Sequence, residues 1–206
     1  ISSSVITGIK TFLDAQKDEA NKFNRLEKTF ITIKTFNNTS SLIYDDKIND
    51  ATFDITKYRP FGSTRLYDTV CEDIIQLKSK IDKFQSNNYK VIYCLVTDGM
   101  NNVGSKTVID MQSALKIAES KNITCIFLAA NQDAIERGVH YGFSQDTSLT
   151  FSSNDTNTQN ALKSLSDGVT RAVSCDDPLR FSSIERESSV EAVILDDDCE
   201  YISDRP

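Results

Sequence analysis

Apolar side chains recur at helical spacing near the start of the chain. Val5, Ile9, Phe12, Leu13 and Phe23 predict an amphipathic helix over 4–23, with serines before it as cap candidates. The period then changes. Phe30, Ile31, Ile33 and Phe36 predict a strand, and Ser41 to Tyr44 a short neighbour, joined by the turn-like Asn37-Asn38-Thr39-Ser40. Residues 45–62 are polar and acidic and end in Arg59-Pro60-Phe61-Gly62, which predicts a loop. Leu66, Val70, Ile74, Leu77, Ile81 and Phe84 form the stripe of a helix over about 65–84. Val91 to Val96 runs without alternation, as a strand buried on both faces does. A loop from Asp98 to Ser105 leads to a helix near 107–120. Ile123 to Ala129 then reads as a second buried strand, 132–140 as a helix and Leu149 to Phe151 as a short strand. Ala161, Leu162, Leu165, Val169 and Val173 line one face of a last helix over 157–173.

Strands that alternate with helices predict an α/β fold with a mostly parallel sheet, in which 91–97 and 123–129 are central. The 206 residues suit one domain, taken as 1–174, followed by an acidic, flexible tail over 175–206. Charge draws that boundary. Residues 1–174 carry 20 acidic and 20 basic side chains, whereas 175–206 carry 10 acidic and 3 basic, so the tail holds the whole net charge of −7. Neither part has the basic stripe of a nucleic-acid binder. No apolar run approaches the ~18 residues of a membrane span. Seven glycines and three prolines exclude a collagen-like chain.

The five cysteines, Cys71, Cys94, Cys125, Cys175 and Cys199, include no Cys-x-x-Cys pair, and Cys94 and Cys125 lie inside strand-like apolar runs. With no leader visible, the expectation is a reducing, intracellular and most simply cytoplasmic setting. Asn37, Asn38, Asn122 and Asn154 each begin an Asn-x-Ser/Thr sequence, which an Asn- and Thr-rich chain produces by chance.

Ligands of open α/β sheets sit beyond the carboxyl ends of the strands. There Asp98 follows the 91–97 strand, with Gly99 behind it. Thr64, after Gly62 and Ser63, places a hydroxyl before the next helix. A carboxylate and a hydroxyl at one rim can help hold a hard cation such as Mg²⁺. The plain alternative is that Thr64 caps its helix and Asp98 a turn. His140 is the single histidine, and no phosphate loop or nucleophile elbow occurs.

Tyr58 to Val70, with Gly62-Ser63-Thr64 at its centre, resembles the Gly-x-Thr segment of von Willebrand factor type A domains. Val91 to Asn102 is similar to that family's apolar strand ending in Thr-Asp-Gly, here Thr97-Asp98-Gly99. Leu128 to Ala134 with Gly142, and Val5 to Ile9 with Phe12 and Leu13, are similar to a microbial and viral branch of the family. The resemblance covers roughly 1–173. It implies a three-layer, doubly wound, mostly parallel sheet with helices on both faces. It also implies a metal-ion-dependent adhesion site, normally for Mg²⁺, whose open position takes a partner's Asp or Glu carboxylate. The family's Asp-x-Ser-x-Ser motif and the strand before it have no counterpart here, so the first central strand is expected to be missing from this chain. Residue-by-residue transfer leaves Thr64 and Asp98 as metal ligands, with Gly62, Ser63, Thr97 and Gly99 shaping a partner-binding rim. Mg²⁺ is then expected to bind weakly or not at all.

The functional expectation is a non-catalytic protein-interaction module with a degenerate adhesion site. Two alternatives stay open. One is a small hydrolase or transferase that depends on Asp98. The other is an adaptor acting through residues 193–200. There Val193, Ile194 and Leu195 followed by Asp196, Asp197 and Asp198 form a possible docking motif that resembles SUMO-interacting motifs.

Overall fold

A computed structural model of the chain describes residues 2–58, 61–84, 88–131, 133–175 and 177–190. Helix α1 (Ser2–Lys22) leads into an antiparallel hairpin of β1 (Phe30–Phe36) and β2 (Ser40–Lys47). There follow α2 (Leu66–Ile81), β3 (Val91–Thr97), α3 (Val108–Ser120), β4 (Ile123–Ala130) and α4 (Ala134–Tyr141). β5 (Ser148–Phe151), α5 (Asp155–Ser174) and α6 (Ser183–Ser188) complete the order. The chain is thus mixed α/β, with a parallel sheet β3-β4-β5 and a separate hairpin. β3 pairs with β4 from Val91↔Ile123 to Thr97↔Ala129, and β5 joins from Phe127↔Ser148 to Ala130↔Phe151.

Local chemistry sets the element ends. Thr107 and Asp110 form a reciprocal capping box at the start of α3. Asp133 caps α4 through the amides of Ile135 and Glu136, and Gly142 ends that helix at φ +103°, where a side chain would strain the backbone. Asn154 caps α5.

Alternation along the strands feeds two cores. Tyr93, Leu95, Phe127 and Ala129 pack with Leu66, Val70 and Ile74 of α2, Met111 and Leu115 of α3, and Tyr141 of α4. Ile126, Leu128, Ala130, Leu149 and Phe151 face the other way, onto Ala161, Leu162 and Leu165 of α5. A third cluster joins Leu13 and Ala20 of α1 to Ile43, Ile48, Ala51 and Phe53.

Three expectations are corrected. β4 is central, but β3 is an edge strand: among the described residues it pairs with β4 alone. An unbroken apolar run reports that both faces of a strand are covered, and helices do that without pairing its edges. The polar stretch from residue 45 continues β2 through Lys47 and then makes single 3-10 turns at Ile48–Asp50 and Ile55–Lys57. Ile48, Ala51 and Phe53 anchor it in the third cluster.

The third correction concerns 177–190, which pack on the domain instead of beginning a flexible tail. Leu179 and Phe181 are buried in the second core. Arg171 forks onto Glu185 at 2.9 and 3.2 Å, Arg186 donates to the Ser148 carbonyl at 2.7 Å, and the Ser189 carbonyl accepts from the Ser152 amide at 2.9 Å. The proposed docking motif, Val193 to Asp198, lies outside the described residues.

Candidate functional site

The rim at the carboxyl end of β3 is built from two loops that hold each other through asparagines. The Thr64 amide donates to Asn102 Oδ1 at 2.7 Å, and the Asn102 amide returns a bond to the Thr64 carbonyl at 3.0 Å. The Ser63 amide donates to Asn38 Oδ1 at 2.7 Å, Asn37 Nδ2 to the Phe61 carbonyl at 3.1 Å, and the Arg65 amide to the Asn37 carbonyl at 3.0 Å. Gly62 sits at φ +104°, and a Cβ there would stand 2.8 Å from Asn38 Oδ1. The hairpin turn, the 61–65 loop and the 98–102 loop are therefore one hydrogen-bonded unit.

The structure brings Thr64 and Gly99 into contact: a Cβ on Gly99 would lie 2.8 Å from Thr64 Oγ1. Thr97 is buried and turns the chain. Its hydroxyl donates to the Gly99 carbonyl at 2.9 Å, and the same oxygen lies 3.1 Å from the Gly99 amide. Asp98 projects to solvent at the same rim. Tyr58 stands close by, since burial first and the Asp98 charge second push its phenol above the ordinary value. The capping alternative for Thr64 does not hold. The residue flanking α2 is Arg65, which makes no side-chain cap; the Tyr67 amide in the first turn is met by Asn101 Oδ1 at 3.1 Å.

One buried carboxylate braces the rim from behind. Asp68 on α2 accepts from the amides of Ser105 and Lys106 and from the Ser105 hydroxyl, each at 3.1 Å, with Arg65 at 3.5 Å. Burial alone would raise its pKa. The Lys106 and Ser105 amides, the Ser105 hydroxyl and the Arg65 charge outweigh it and hold the carboxyl below the usual range. Gly104, at φ +125°, passes so close that a Cβ would stand 2.1 Å from Asp68 Oδ2. This brace, like the asparagines, was missed in the sequence. The available signal was the pair of Asn-Asn doublets in loops that converge on one sheet end.

As donors, the two transferred ligands supply one carboxylate and one hydroxyl. Among the described residues no three His, Cys, Asp or Glu side chains converge as a metal-holding group. Mg²⁺ takes a near-octahedral shell of oxygens, so this donor set by itself does not fit a resident ion. Burial, with neighbouring Cys125 as a second cause, pushes the Cys94 thiol up to about 12, and burial does the same to Cys125. Neither is a nucleophile at neutral pH. Phe61, at the start of the 61–65 loop, and Met100 and Val103, in the stretch that follows Asp98, are exposed at 70%, 52% and 39% of their accessible surface.

No family model and no curated protein matches the chain. Among solved structures it is similar to proximal thread matrix protein 1 from the mussel byssus, with a TM-score of 0.51 at 17% identity over 82% of this chain. The chain spans 41% of that protein's length. The likeness concerns the fold alone. Among the described residues no helix is long and apolar enough to cross a membrane.

Proposed function

We propose that the chain is a non-catalytic protein-interaction module of the von Willebrand type A kind, doubly wound, whose binding surface is the rim of Thr64 and Asp98. The observation that carries this reading is the exposure of Phe61, Met100, Val103 and the Asp98 carboxylate on loops that Asn37, Asn38, Asn101 and Asn102 tie together at one end of the sheet. Rigid loops lose little entropy on docking, and exposed apolar side chains supply the area that a protein partner covers.

The partner's acidic side chain belongs to this reading only with a cation present, because Asp98 repels a bare carboxylate. Mg²⁺ at Thr64 and Asp98 is accordingly weak, in the millimolar range expected of oxygen sites with little ligand charge. An intracellular location rests on Cys71, Cys94, Cys125 and Cys175, which are unbridged.

The discriminating experiment pairs turnover with binding. The protein is assayed on para-nitrophenyl phosphate and para-nitrophenyl acetate, with Asp98→Ala beside it. Partner capture is compared for the same variant and for Met100→Asp. Turnover lost in Asp98→Ala establishes the hydrolase alternative and overturns the module. A partner lost in both variants, without turnover, supports the module.

A further inference from the structure

β5 lies at one side of the β3-β4-β5 sheet, and the chain itself covers its outward edge. The Phe127 amide donates to the Thr147 carbonyl at 3.0 Å, and the Asn131 amide to the Phe151 carbonyl at 2.9 Å. In a parallel ladder, alternate residues turn their main chain toward the partner strand and away from it. Ser148, Thr150 and Ser152 therefore present their N–H and C=O groups to the side where a further strand would add. The segment 177–190 meets the two ends of this row. Arg186 donates to the Ser148 carbonyl at 2.7 Å and, through Nη2, to the Gln145 and Asp146 carbonyls at 3.0 and 3.3 Å. The Ser152 amide donates to the Ser189 carbonyl at 2.9 Å. A guanidinium fork matches carboxylates and phosphates, yet Arg186 directs it at three neutral main-chain oxygens.

Thr150 is left between them. Among the described residues nothing meets its main-chain N–H and C=O, and it lines a groove of about 250 Å³ with Ile135, Arg186, Glu187 and Val190. Without 177–190 this edge would be self-complementary. A second copy turned about a two-fold axis at Thr150 puts its Ser152 opposite Ser148 and its Thr150 opposite Thr150, and the outward residues exchange main-chain bonds. The Ser148 carbonyl and the Ser152 amide, which the segment ties up, would be donor and acceptor to each other in that pairing. The edge carries no device of its own against it. Residues 148–151 read Ser-Leu-Thr-Phe, with no charge and no proline, and β5 pairs with β4 without a bulge.

We infer that 177–190 is a built-in cover that keeps β5 from pairing with β5 of a second copy, with Arg186 as its latch and Arg171 as its pin. The latch acts on the edge directly, by occupying the Ser148 carbonyl. The pin acts from behind: Arg171 of α5 forks onto Glu185 and donates to the Arg180 carbonyl at 3.1 Å, which fixes the segment over the edge. Leu179 and Phe181, buried in the second core, set where the segment starts. With both arginines gone, the Ser148 carbonyl and the Ser152 amide return to the edge and the pairing becomes available.

The test combines sedimentation velocity with hydrogen exchange at single amides, on the full chain and on the full chain carrying Arg171→Met with Arg186→Met. Each is measured at about 5 µM and at about 200 µM. The native chain should be a monomer at both concentrations, with the Ser152 amide slow and the Thr150 amide fast. In the dilute double variant the Ser152 amide should exchange about tenfold faster or more. The concentrated double variant should sediment as a dimer in which the Thr150 amide is slowed about tenfold or more. A double variant that stays monomeric overturns the inference. So does a dimer whose Thr150 amide remains fast, because its contact lies elsewhere. A Ser152 amide that stays slow in the dilute variant overturns the assignment of the two arginines, and a native chain that dimerises with Thr150 protected overturns the cover. If the double variant does not fold, Leu179→Asp frees the segment without changing an arginine and is read in the same way.

Discussion

Replacing Asp68 tests whether the rim is held from behind as described. Its two oxygens accept three bonds at 3.1 Å from Ser105 and one at 3.1 Å from the Lys106 amide, with the Arg65 guanidinium at 3.5 Å. Hydrogen bonds to a charged group contribute about 1.5–3 kcal/mol each when isolated from water. Ser105 and Lys106 are exposed, so their amides regain water once the carboxylate leaves, and the losses do not add. The expected cost of Asp68→Ala is about 2–3 kcal/mol, and of Asp68→Asn about 1–2 kcal/mol, because the amide keeps one acceptor and the shape. Urea unfolding of the three proteins measures this. The pH dependence carries the sharper test. The folded pKa lies below the ordinary 3.8, so the group binds its proton more readily in the unfolded chain. Its stabilisation is complete above the unfolded value and is lost as pH falls through the folded value. The gap between the native chain and Asp68→Asn should be full at about pH 6 and shrink steadily below about pH 4. A gap of equal size at about pH 3, or one that widens as pH falls, would refute the argument that the ionised carboxylate is the clamp.

Four further outcomes are expected. Gly104→Ala puts a Cβ 2.1 Å from Asp68 Oδ2 at a φ of +125°, and should lower stability by about 2–4 kcal/mol in thermal melts, more than Gly→Ala costs where φ is negative. Asn101→Ala removes the acceptor of the Tyr67 amide and should cost about 1 kcal/mol by urea titration, as loss of a helix cap does. Phe181→Ala empties a buried place in the second core. A loss of about 3 kcal/mol is expected, and a change under about 0.5 kcal/mol would mean that 177–190 do not pack as described. Calorimetry with Mg²⁺ should show no binding tighter than about millimolar, and a micromolar site that survives Asp98→Ala would place the metal elsewhere.

The sequence by itself determined the elements. Leu66, Val70, Ile74 and Ile81 made α2 legible because a helix repeats its buried face every three to four residues. Val91 to Val96 and Ile123 to Ala129 were legible as buried strands because both faces are covered and their apolar runs are unbroken. Gly62 and Thr97 were named through the family resemblance; what the structure adds is local, a positive φ at Gly62 and a turn that the Thr97 hydroxyl closes. What only the tertiary structure decided is which distant groups meet. Asn101 reaches the first turn of α2 and Asn102 the Thr64 amide from the far side of a loop. Asp68, on a helix, is completed by Ser105 and Lys106 thirty-seven and thirty-eight residues later. The two apolar side chains that pin 177–190, Leu179 and Phe181, sit among polar neighbours and show no period. The edge of β3 that no described residue pairs with is the strongest case. Side-chain patterning records the burial of a strand's faces, whereas edge pairing is made by backbone groups that every residue carries alike, so no local sequence can encode it.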